Sequence, residues 1–88
     1  MAQWVRTILF TVPPGSLAEA REGHREHLRR LRASGKLRAA GELGPGDGCL
    51  EIYEAADRHE AETIAKLSPI VAEGLGTWML REWTETVL

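Results

Sequence analysis

The run Gly44-Pro45-Gly46-Asp47-Gly48 constrains the fold most, because three glycines and a proline within five residues predict a tight turn. Short strand-like runs lie on both sides of it, Leu37 to Leu43 before it and Cys49 to Glu54 after it. Two such runs joined by one turn predict a β-hairpin of antiparallel neighbours. A dinucleotide-binding role for these glycines is excluded, since no helix pattern follows them.

A strand and a long helix are predicted before the hairpin. Residues 4 to 12 are rich in β-branched and aromatic side chains and end at a Pro-Pro-Gly sequence, which predicts a strand. Ser16 and Glu19 have the spacing of a capping box at a helix N-terminus. The apolar periodicity after them predicts a helix from Leu17 to Ser34, with Gly35 in the left-handed position that ends it.

A second helix and a last strand are predicted after the hairpin. Asp57 and Glu60 form another N-terminal helix signature, so we predict a helix over about residues 58–67 that ends before Pro69. The run from Thr77 to Trp83 is rich in aromatic and apolar residues and predicts the fourth strand.

The predicted order is β-α-β-β-α-β, which is that of the ferredoxin-like α+β fold. In that fold, two helices cover one face of a four-stranded antiparallel sheet. We predict a single domain over residues 1–88, since a chain of 88 residues is too short for a second core. Tyr53, Met79 and either Trp78 or Trp83 are predicted on the helix-free face, which a second copy would cover in a homodimer.

Composition narrows the classes of partner and site. Eleven Lys and Arg against 13 Asp and Glu give a net charge of −2, which argues against nucleic acid as a partner. The single cysteine, Cys49, excludes an internal disulfide and fits a reducing cytoplasm. No Cys/His spacing typical of a zinc site occurs, so no metal is expected. No export signal or membrane span is predicted, because the longest apolar run is short.

Histidine and carboxylate chemistry remains, since nucleophile and phosphate-binding motifs are absent from the sequence. His24 and His27 lie three residues apart and therefore on nearly the same face of the first predicted helix. A histidine can take and give a proton near neutral pH. The alternative is that both histidines are structural, at the edge of the core or facing water.

Five stretches of the chain carry a resemblance to a known family: His27 to Leu37, Ala40-Gly41, Leu50 to Glu54, Ser68 to Leu75, and Arg81 to Trp83. Together they resemble the YCII-related family. Members of that family are small dimeric α+β barrel proteins of ferredoxin-like topology, distantly similar to muconolactone isomerases and antibiotic-biosynthesis monooxygenases. The resemblance implies a homodimer that encloses a cavity for a small molecule.

The resemblance also implies an acid/base pair. The family has an H-L-x-x-L pattern on the first helix and a D-P-aromatic pattern after the second, and their His and Asp form the implied pair. His27 matches the histidine, whereas Ser68 stands at the position of the aspartate. A hydroxyl cannot stabilise an imidazolium as a carboxylate does. Three explanations are open: catalysis is lost, Ser68 acts only as a hydrogen-bond donor in a changed reaction, or another acid has replaced the aspartate.

Glu42 is the candidate replacement acid, because it follows Gly41 on a predicted strand and a strand glycine often marks the close approach of a ligand. The alternative for Glu42 is a solvated strand end. Arginines can bind an anionic substrate group, and aromatic rings can line its pocket or serve as core or dimer contacts. On these grounds the candidate substrate-binding residues are His24, Arg38, Tyr53, Trp78 and Arg81.

The leading hypothesis is a cofactor-independent acid/base enzyme of isomerase, lyase or cyclase type, with His27 as general acid/base. Its substrate is expected to be a small cyclic or aromatic metabolite bound in the dimer cavity. One alternative is a non-catalytic small-molecule-binding or assembly module that has lost the aspartate. Another alternative is a cofactor-free monooxygenase.

Overall fold

A computed structural model describes residues 2–88 of the chain. One antiparallel sheet, in the order β2-β3-β1-β4, is formed by β1 (Ala2–Phe10), β2 (Leu37–Leu43), β3 (Gly48–Ala55) and β4 (Gly76–Trp83). The helices are α1 (Ala18–Ala33), α2 (Arg58–Lys66) and the short α3 (Pro69–Ala72). The predicted ferredoxin-like α+β fold is confirmed, and α3 is an additional element that was not predicted from the sequence.

Two helix boundaries, the start of α2 and the end of α1, lie where the sequence predicts them. The side chain of Asp57 accepts a hydrogen bond of 2.9 Å from the backbone N–H of Glu60 and so caps α2. Gly35 has a φ of 78° and ends α1, as predicted. The predicted capping role of Ser16 is wrong, because Ser16 lies inside a 3₁₀ turn that its own backbone N–H closes onto Pro13. Helix α1 begins two residues later without a side-chain cap.

The two faces of the sheet differ from the prediction at Tyr53 and Trp78. Both side chains lie on the face that the helices cover, and the Tyr53 hydroxyl donates a hydrogen bond of 2.7 Å to the Ala61 carbonyl oxygen. Because its one polar atom is satisfied there, Tyr53 can be fully buried. Met79 and Trp83 do lie on the helix-free face, as predicted. Within residues 2–88, that face carries seven large apolar side chains: Val5, Leu9, Leu43, Leu50, Ile52, Met79 and Trp83.

The helix-covered face is not purely apolar. Arg6 on β1 lies directly opposite Glu51 on β3, and both side chains are fully buried. Apolar residues pack on either side of this pair, with Trp4 and Tyr53 in one cluster and Ile8 in the other. The fold therefore places a pair of opposite charges in the middle of its core. No helix within residues 2–88 has the length and apolar character needed to cross a membrane.

Candidate functional site

The buried ion pair of Arg6 and Glu51 is the base on which the site is built. Nε of Arg6 donates to Oε1 of Glu51 at 2.8 Å, and Nη2 lies 2.7 Å from the same oxygen. Nη1 donates to the carbonyl oxygen of Ala65 at 2.9 Å. This arrangement leaves Oε2 of Glu51 free for another partner, so the ion pair fixes the orientation of the carboxylate.

His24 of α1 is that partner. Its Nε2 lies 3.1 Å from Oε2 of Glu51, and its Nδ1 lies 2.7 Å from Oγ of Ser68. Burial opposes the ionisation of Glu51, but the hydrogen bond from His24 and the charge of Arg6 outweigh it and hold the pKa of Glu51 below its ordinary value. With Glu51 ionised, Nε2 of His24 carries the ring hydrogen and donates a hydrogen bond to the carboxylate. Nδ1 accepts a hydrogen bond from the Ser68 hydroxyl.

Gly23 explains how Ser68 reaches the histidine. A Cβ at Gly23 would lie 2.8 Å from Cγ of Pro69, so the start of α3 packs directly against the backbone of α1. Ser68 precedes this proline and makes no side-chain cap to α3. Its hydroxyl is therefore available to the ring of His24, the residue that follows Gly23.

A cavity of about 350 Å³ opens between α1 and the hairpin of β2 and β3. Its wall includes the titratable side chains of His24, Glu51 and Cys49. The other lining residues are Phe10, Arg21, Arg25, Leu28, Ala40, Gly41, Glu42, Gly48 and Ile70. The volume falls within the range of small-molecule pockets, and the mixture of apolar walls with a few polar groups is typical of them.

Cys49 adds a third kind of functional group to the cavity wall. Its Sγ lies 3.7 Å from Nε2 of His24. Burial, followed by the charge of Glu51, raises the pKa of the Cys49 thiol to about 12. The thiol is therefore protonated near neutral pH and is a poor nucleophile, because the thiolate is the reactive form.

His27 lies apart from Ser68 and from this cavity. It is buried, its Nε2 lies 3.5 Å from Nη1 of Arg6, and it lines a second cavity of about 330 Å³ together with Arg30 and Leu67. Burial, and then the charge of Arg6, lower the pKa of His27 to about 4. His27 is therefore neutral at physiological pH, and the residue paired with Ser68 is His24.

Glu42 lines the cavity, but its contact is an ion pair with Arg21, and its side chain is 59% exposed. Among the described residues, the Glu42 carboxylate makes no hydrogen bond or ion pair with His27. Its position at the exposed edge of the cavity allows contact with a ligand but not with the buried acid/base pair.

The other candidate substrate-binding residues lie outside the cavity. Tyr53 and Trp78 pack in the core beneath the helices. Arg38 is exposed where the pairing of β2 is irregular. Arg81 is on the helix-free face and donates to the backbone carbonyl of Leu80. Of the five residues in that group, only His24 lines the cavity.

Five site residues were not predicted from the sequence as functional candidates: Arg6 and Glu51 of the buried ion pair, and Arg21, Arg25 and Cys49 of the cavity wall. Arg6 and Glu51 hold the site together. A signal for them exists, since each is the single charged residue among apolar neighbours on its strand face. Arg6 lies between Trp4 and Ile8, and Glu51 lies between Cys49 and Tyr53. Two opposite charges in such positions indicate a buried pair, because an unpaired buried charge is costly.

Comparisons with known proteins bear on the family and the fold. A family model described as the YCII-related domain matches residues 8–84. The uncharacterised protein YjpA of Bacillus subtilis strain 168 is 34% identical over 61 residues, which are 69% of this chain and 72% of that protein.

Two solved structures are similar in fold. One is 5-chloro-2-hydroxyhydroquinone dehydrochlorinase (TftG) from Burkholderia phenoliruptrix AC1100, in complex with 2,5-dihydroxybenzoquinone. It has a TM-score of 0.71 and 22% identity, covering 96% of this chain and 95% of that one. The other, an antibiotic biosynthesis monooxygenase, has a TM-score of 0.63 and 12% identity, covering 99% of this chain and 100% of that one. At these identities the two likenesses establish the fold.

Proposed function

Because the chain belongs to the YCII-related family, we propose that it is a cofactor-independent acid/base enzyme that acts on a small cyclic or aromatic metabolite. The observation that carries the proposal is the chain of hydrogen bonds from Glu51 through His24 to Ser68 beside a cavity of about 350 Å³. Through these hydrogen bonds, Glu51 supplies the carboxylate that is lost where Ser68 stands in place of the family's aspartate.

The pair of His24 and Glu51 offers a substrate one proton acceptor and one proton donor on the same cavity wall. A carboxylate oxygen can accept two hydrogen bonds, so Oε2 of Glu51 can take a substrate proton while it still holds His24. The same proton is returned to another atom of the substrate in an isomerisation, or leaves with the departing group in an elimination. As Oε2 takes the proton and loses its charge, the Nε2–H of His24 shifts its hydrogen bond from Glu51 to the substrate oxygen on which negative charge develops.

Arg6 and Ser68 act as positioning residues in this mechanism. Arg6 holds one oxygen of the Glu51 carboxylate and keeps the group ionised, while Ser68 fixes the ring of His24 through Nδ1. A pair held in this way needs no rearrangement before it reacts, which is the condition for efficient proton transfer.

The cavity favours a single-ring substrate that carries a hydroxyl, keto or carboxylate group. Phe10, Leu28 and Ile70 supply apolar walls that suit a planar ring. Arg21 and Arg25 also line the cavity, and a guanidinium offers a planar fork to an anionic oxygen. A hydroxylated benzoquinone is bound by the structural neighbour TftG, which makes this class of compound the first to test.

We further propose that a second copy of the chain covers the helix-free face, giving a homodimer. In the described part of the chain, that face carries seven large apolar side chains, among them Leu9 and Met79, which are 50% and 49% exposed. Contiguous apolar surface of this kind marks an interface. We also assign the protein to a reducing cytoplasm, since its one cysteine is a free thiol.

The test is a panel of hydroxybenzoquinones, hydroxyhydroquinones and small lactones, each examined for binding by thermal shift and for turnover by product analysis. We expect turnover of at least one compound, and we expect Glu51→Gln to abolish it while binding persists. Binding of the panel without any turnover would overturn the enzyme proposal. That result would favour the alternative function, a small-molecule-binding module that has lost the family's catalytic aspartate.

A further inference from the structure

Three chemically different ligand atoms meet on the cavity wall. Nε2 of His24, Sγ of Cys49 and a carboxylate oxygen of Glu51 all lie within 4.8 Å of one another, and all three residues are buried. They come from α1 and from alternate positions of β3, so the spacing of residues along the chain gives no sign of the cluster. We propose that this cluster is a binding site for a thiophilic divalent cation of the size of Zn²⁺.

Two of the three distances between these atoms match the edges of a tetrahedral site. Zinc binds histidine nitrogen and carboxylate oxygen at about 2.0 Å and thiolate sulfur at about 2.3 Å, so tetrahedral angles require an N···O edge of about 3.3 Å and an N···S edge of about 3.6 Å. The edge from His24 Nε2 to Glu51 Oε2 is 3.1 Å, and the edge from His24 Nε2 to Cys49 Sγ is 3.7 Å. The third pair, Sγ of Cys49 and a carboxylate oxygen of Glu51, lies within 4.8 Å, and side-chain rotation would bring it to the edge length that the ion requires.

Outer contacts that orient metal ligands are already in place. Metal-binding histidines hydrogen-bond through their second ring nitrogen, and metal-binding carboxylates are hydrogen-bonded in turn. Nδ1 of His24 has Ser68 Oγ at 2.7 Å. Arg6 holds Oε1 of Glu51, which leaves Oε2 to face the ion. Both outer contacts would persist when a metal binds.

Charge and hardness decide which ions the site would accept. A coordinated thiol loses its proton, so ionised Cys49 and Glu51 together balance the two positive charges of the ion. Arg6 adds one positive charge beside the site. This charge weakens the binding of hard cations, because they would be held by the Glu51 carboxylate alone. A soft thiolate selects Zn²⁺ or Co²⁺ over Mg²⁺ and Ca²⁺. The fourth position of the site would open into the cavity, where water or a ligand oxygen can occupy it.

Metal binding releases one proton per site when His24 is neutral. The Cys49 thiol gives up its proton to solvent. His24 exchanges its Nε2 proton for one on Nδ1, where Ser68 Oγ accepts the hydrogen bond. The bound ion then occupies both Nε2 of His24 and Oε2 of Glu51, so it would block the proposed acid/base pair. The metal site itself stands on ligand geometry and does not depend on that function.

Cobalt(II) is the probe that tests the site directly, because a thiolate ligand gives a charge-transfer absorption band and four-coordinate cobalt gives intense visible bands. Cys49 is the chain's only cysteine, so a thiolate band can come from no other residue. We expect the full-length protein to bind one Co²⁺ with this band, Zn²⁺ to displace it, and millimolar Mg²⁺ to leave it unchanged.

Three variants make the test specific. Cys49→Ser should abolish the thiolate band and weaken Zn²⁺ binding by about 100-fold or more, and Ser68→Ala should keep the band but weaken binding by about tenfold. His59→Gln, at an exposed histidine of α2, is the matched control and should bind like the wild type. Circular dichroism checks that each variant is folded.

Any of three results would overturn the proposal. The first is cobalt binding by the wild type without the thiolate band, and the second is no binding at all. The third is loss of binding in His59→Gln, which would place the metal on the surface. The readout of this test is an absorption band and not turnover. The metal site and the proposed enzyme activity can therefore each fail without the other.

Discussion

His24 and Glu51 share a hydrogen bond of 3.1 Å between Nε2 and Oε2, although 27 residues separate them in the chain. This contact places a carboxylate beside a histidine in a chain that has Ser68 where the resemblance to the family implies an aspartate. The carboxylate comes from the middle of β3 and is held by Arg6 of the neighbouring strand. The proposed acid/base chemistry therefore depends on a buried charge pair in the sheet.

Replacing His24 should matter far more for turnover than replacing His27. We expect His24→Gln to lower kcat by about 100-fold or more, the usual worth of a positioned acid/base group. His27→Gln is the matched control and should have little effect, because His27 faces the second cavity. Steady-state kinetics on the best compound of the panel measures both. Equal losses from the two variants would contradict the assignment of His24.

Replacing Glu51 should also destabilise the fold, whereas replacing Glu42 should not. Glu51→Gln leaves Arg6 as a buried cation without a charged partner, and breaking such a pair costs about 3 kcal/mol. Glu42→Gln removes an exposed ion pair with Arg21, which is worth about 0.5 kcal/mol. Urea denaturation monitored by tryptophan fluorescence measures the free energies of unfolding. A Glu51→Gln protein as stable as Glu42→Gln would show that Arg6 does not need this partner.

The stability of the protein should fall as the pH drops from about 6.5 towards 4. Burial, with the charge of Arg6 next, lowers the pKa of His27 from 6.5 to about 4 in the folded protein. The unfolded chain therefore binds a proton in this pH range before the folded chain does, and unfolding is favoured by acid. By this linkage His27 costs on the order of 3 kcal/mol of stability at pH 4.

The variant His27→Gln isolates that contribution. Unfolding free energies of the variant should change less than those of the wild type between pH 6.5 and pH 4. The exposed His59 provides the control, and His59→Gln should retain the wild-type slope. A His27→Gln protein whose stability falls with acid as steeply as the wild type would place the pH dependence elsewhere.

Gly23→Ala should destabilise the protein, contrary to the general effect of this change in a helix. Alanine in place of a helical glycine ordinarily adds about 1 kcal/mol of stability. Here the new Cβ would meet Cγ of Pro69 at 2.8 Å, so α3 must move, at a cost of about 1–3 kcal/mol for overpacking. The movement would also draw Ser68 away from His24. Thermal unfolding gives the answer, and a raised Tm would refute the close packing of α1 and α3.

The proposed homodimer can be tested with two exposed leucines. Leu9 lies on the helix-free face and is 50% exposed, while Leu67 lies after α2 and is 64% exposed. Leu9→Glu should convert the dimer to a monomer, because it places a charge in the apolar interface, and Leu67→Glu should remain dimeric. Light scattering at micromolar concentration measures the mass. A monomeric wild-type protein would remove the proposed interface.

Local signals in the sequence were sufficient for the architecture. The turn around Gly46, the cap at Asp57 and the helix end at Gly35 each depend on backbone geometry within a few residues, which the residue types control directly. The ferredoxin-like order of strands and helices follows from these signals. The prediction erred at Ser16, where consecutive prolines lead the chain into a 3₁₀ turn instead of a helix cap.

The choice between His24 and His27 lay beyond the sequence. The two residues share a helix face, but a rise of about 1.5 Å per residue separates their positions along the helix axis by about 4.5 Å. That distance is enough to put them beside different cavities. The packing of α1 on the sheet decides which cavity each histidine lines. The resemblance to the family selected His27, whereas the hydrogen bond to Ser68 belongs to His24.

The sequence by itself determined the order of the four strands and the two longer helices, because periodicity, caps and turns act over short stretches of chain. Only the tertiary structure decided which polar side chains meet. The contacts of Arg6 with Glu51 and of His24 with Ser68 join residues 45 and 44 positions apart. A single charge on an apolar strand face indicates that Arg6 and Glu51 each need a partner, but the partner is chosen only when helices pack on the sheet and each buried charge or hydroxyl must find one away from water.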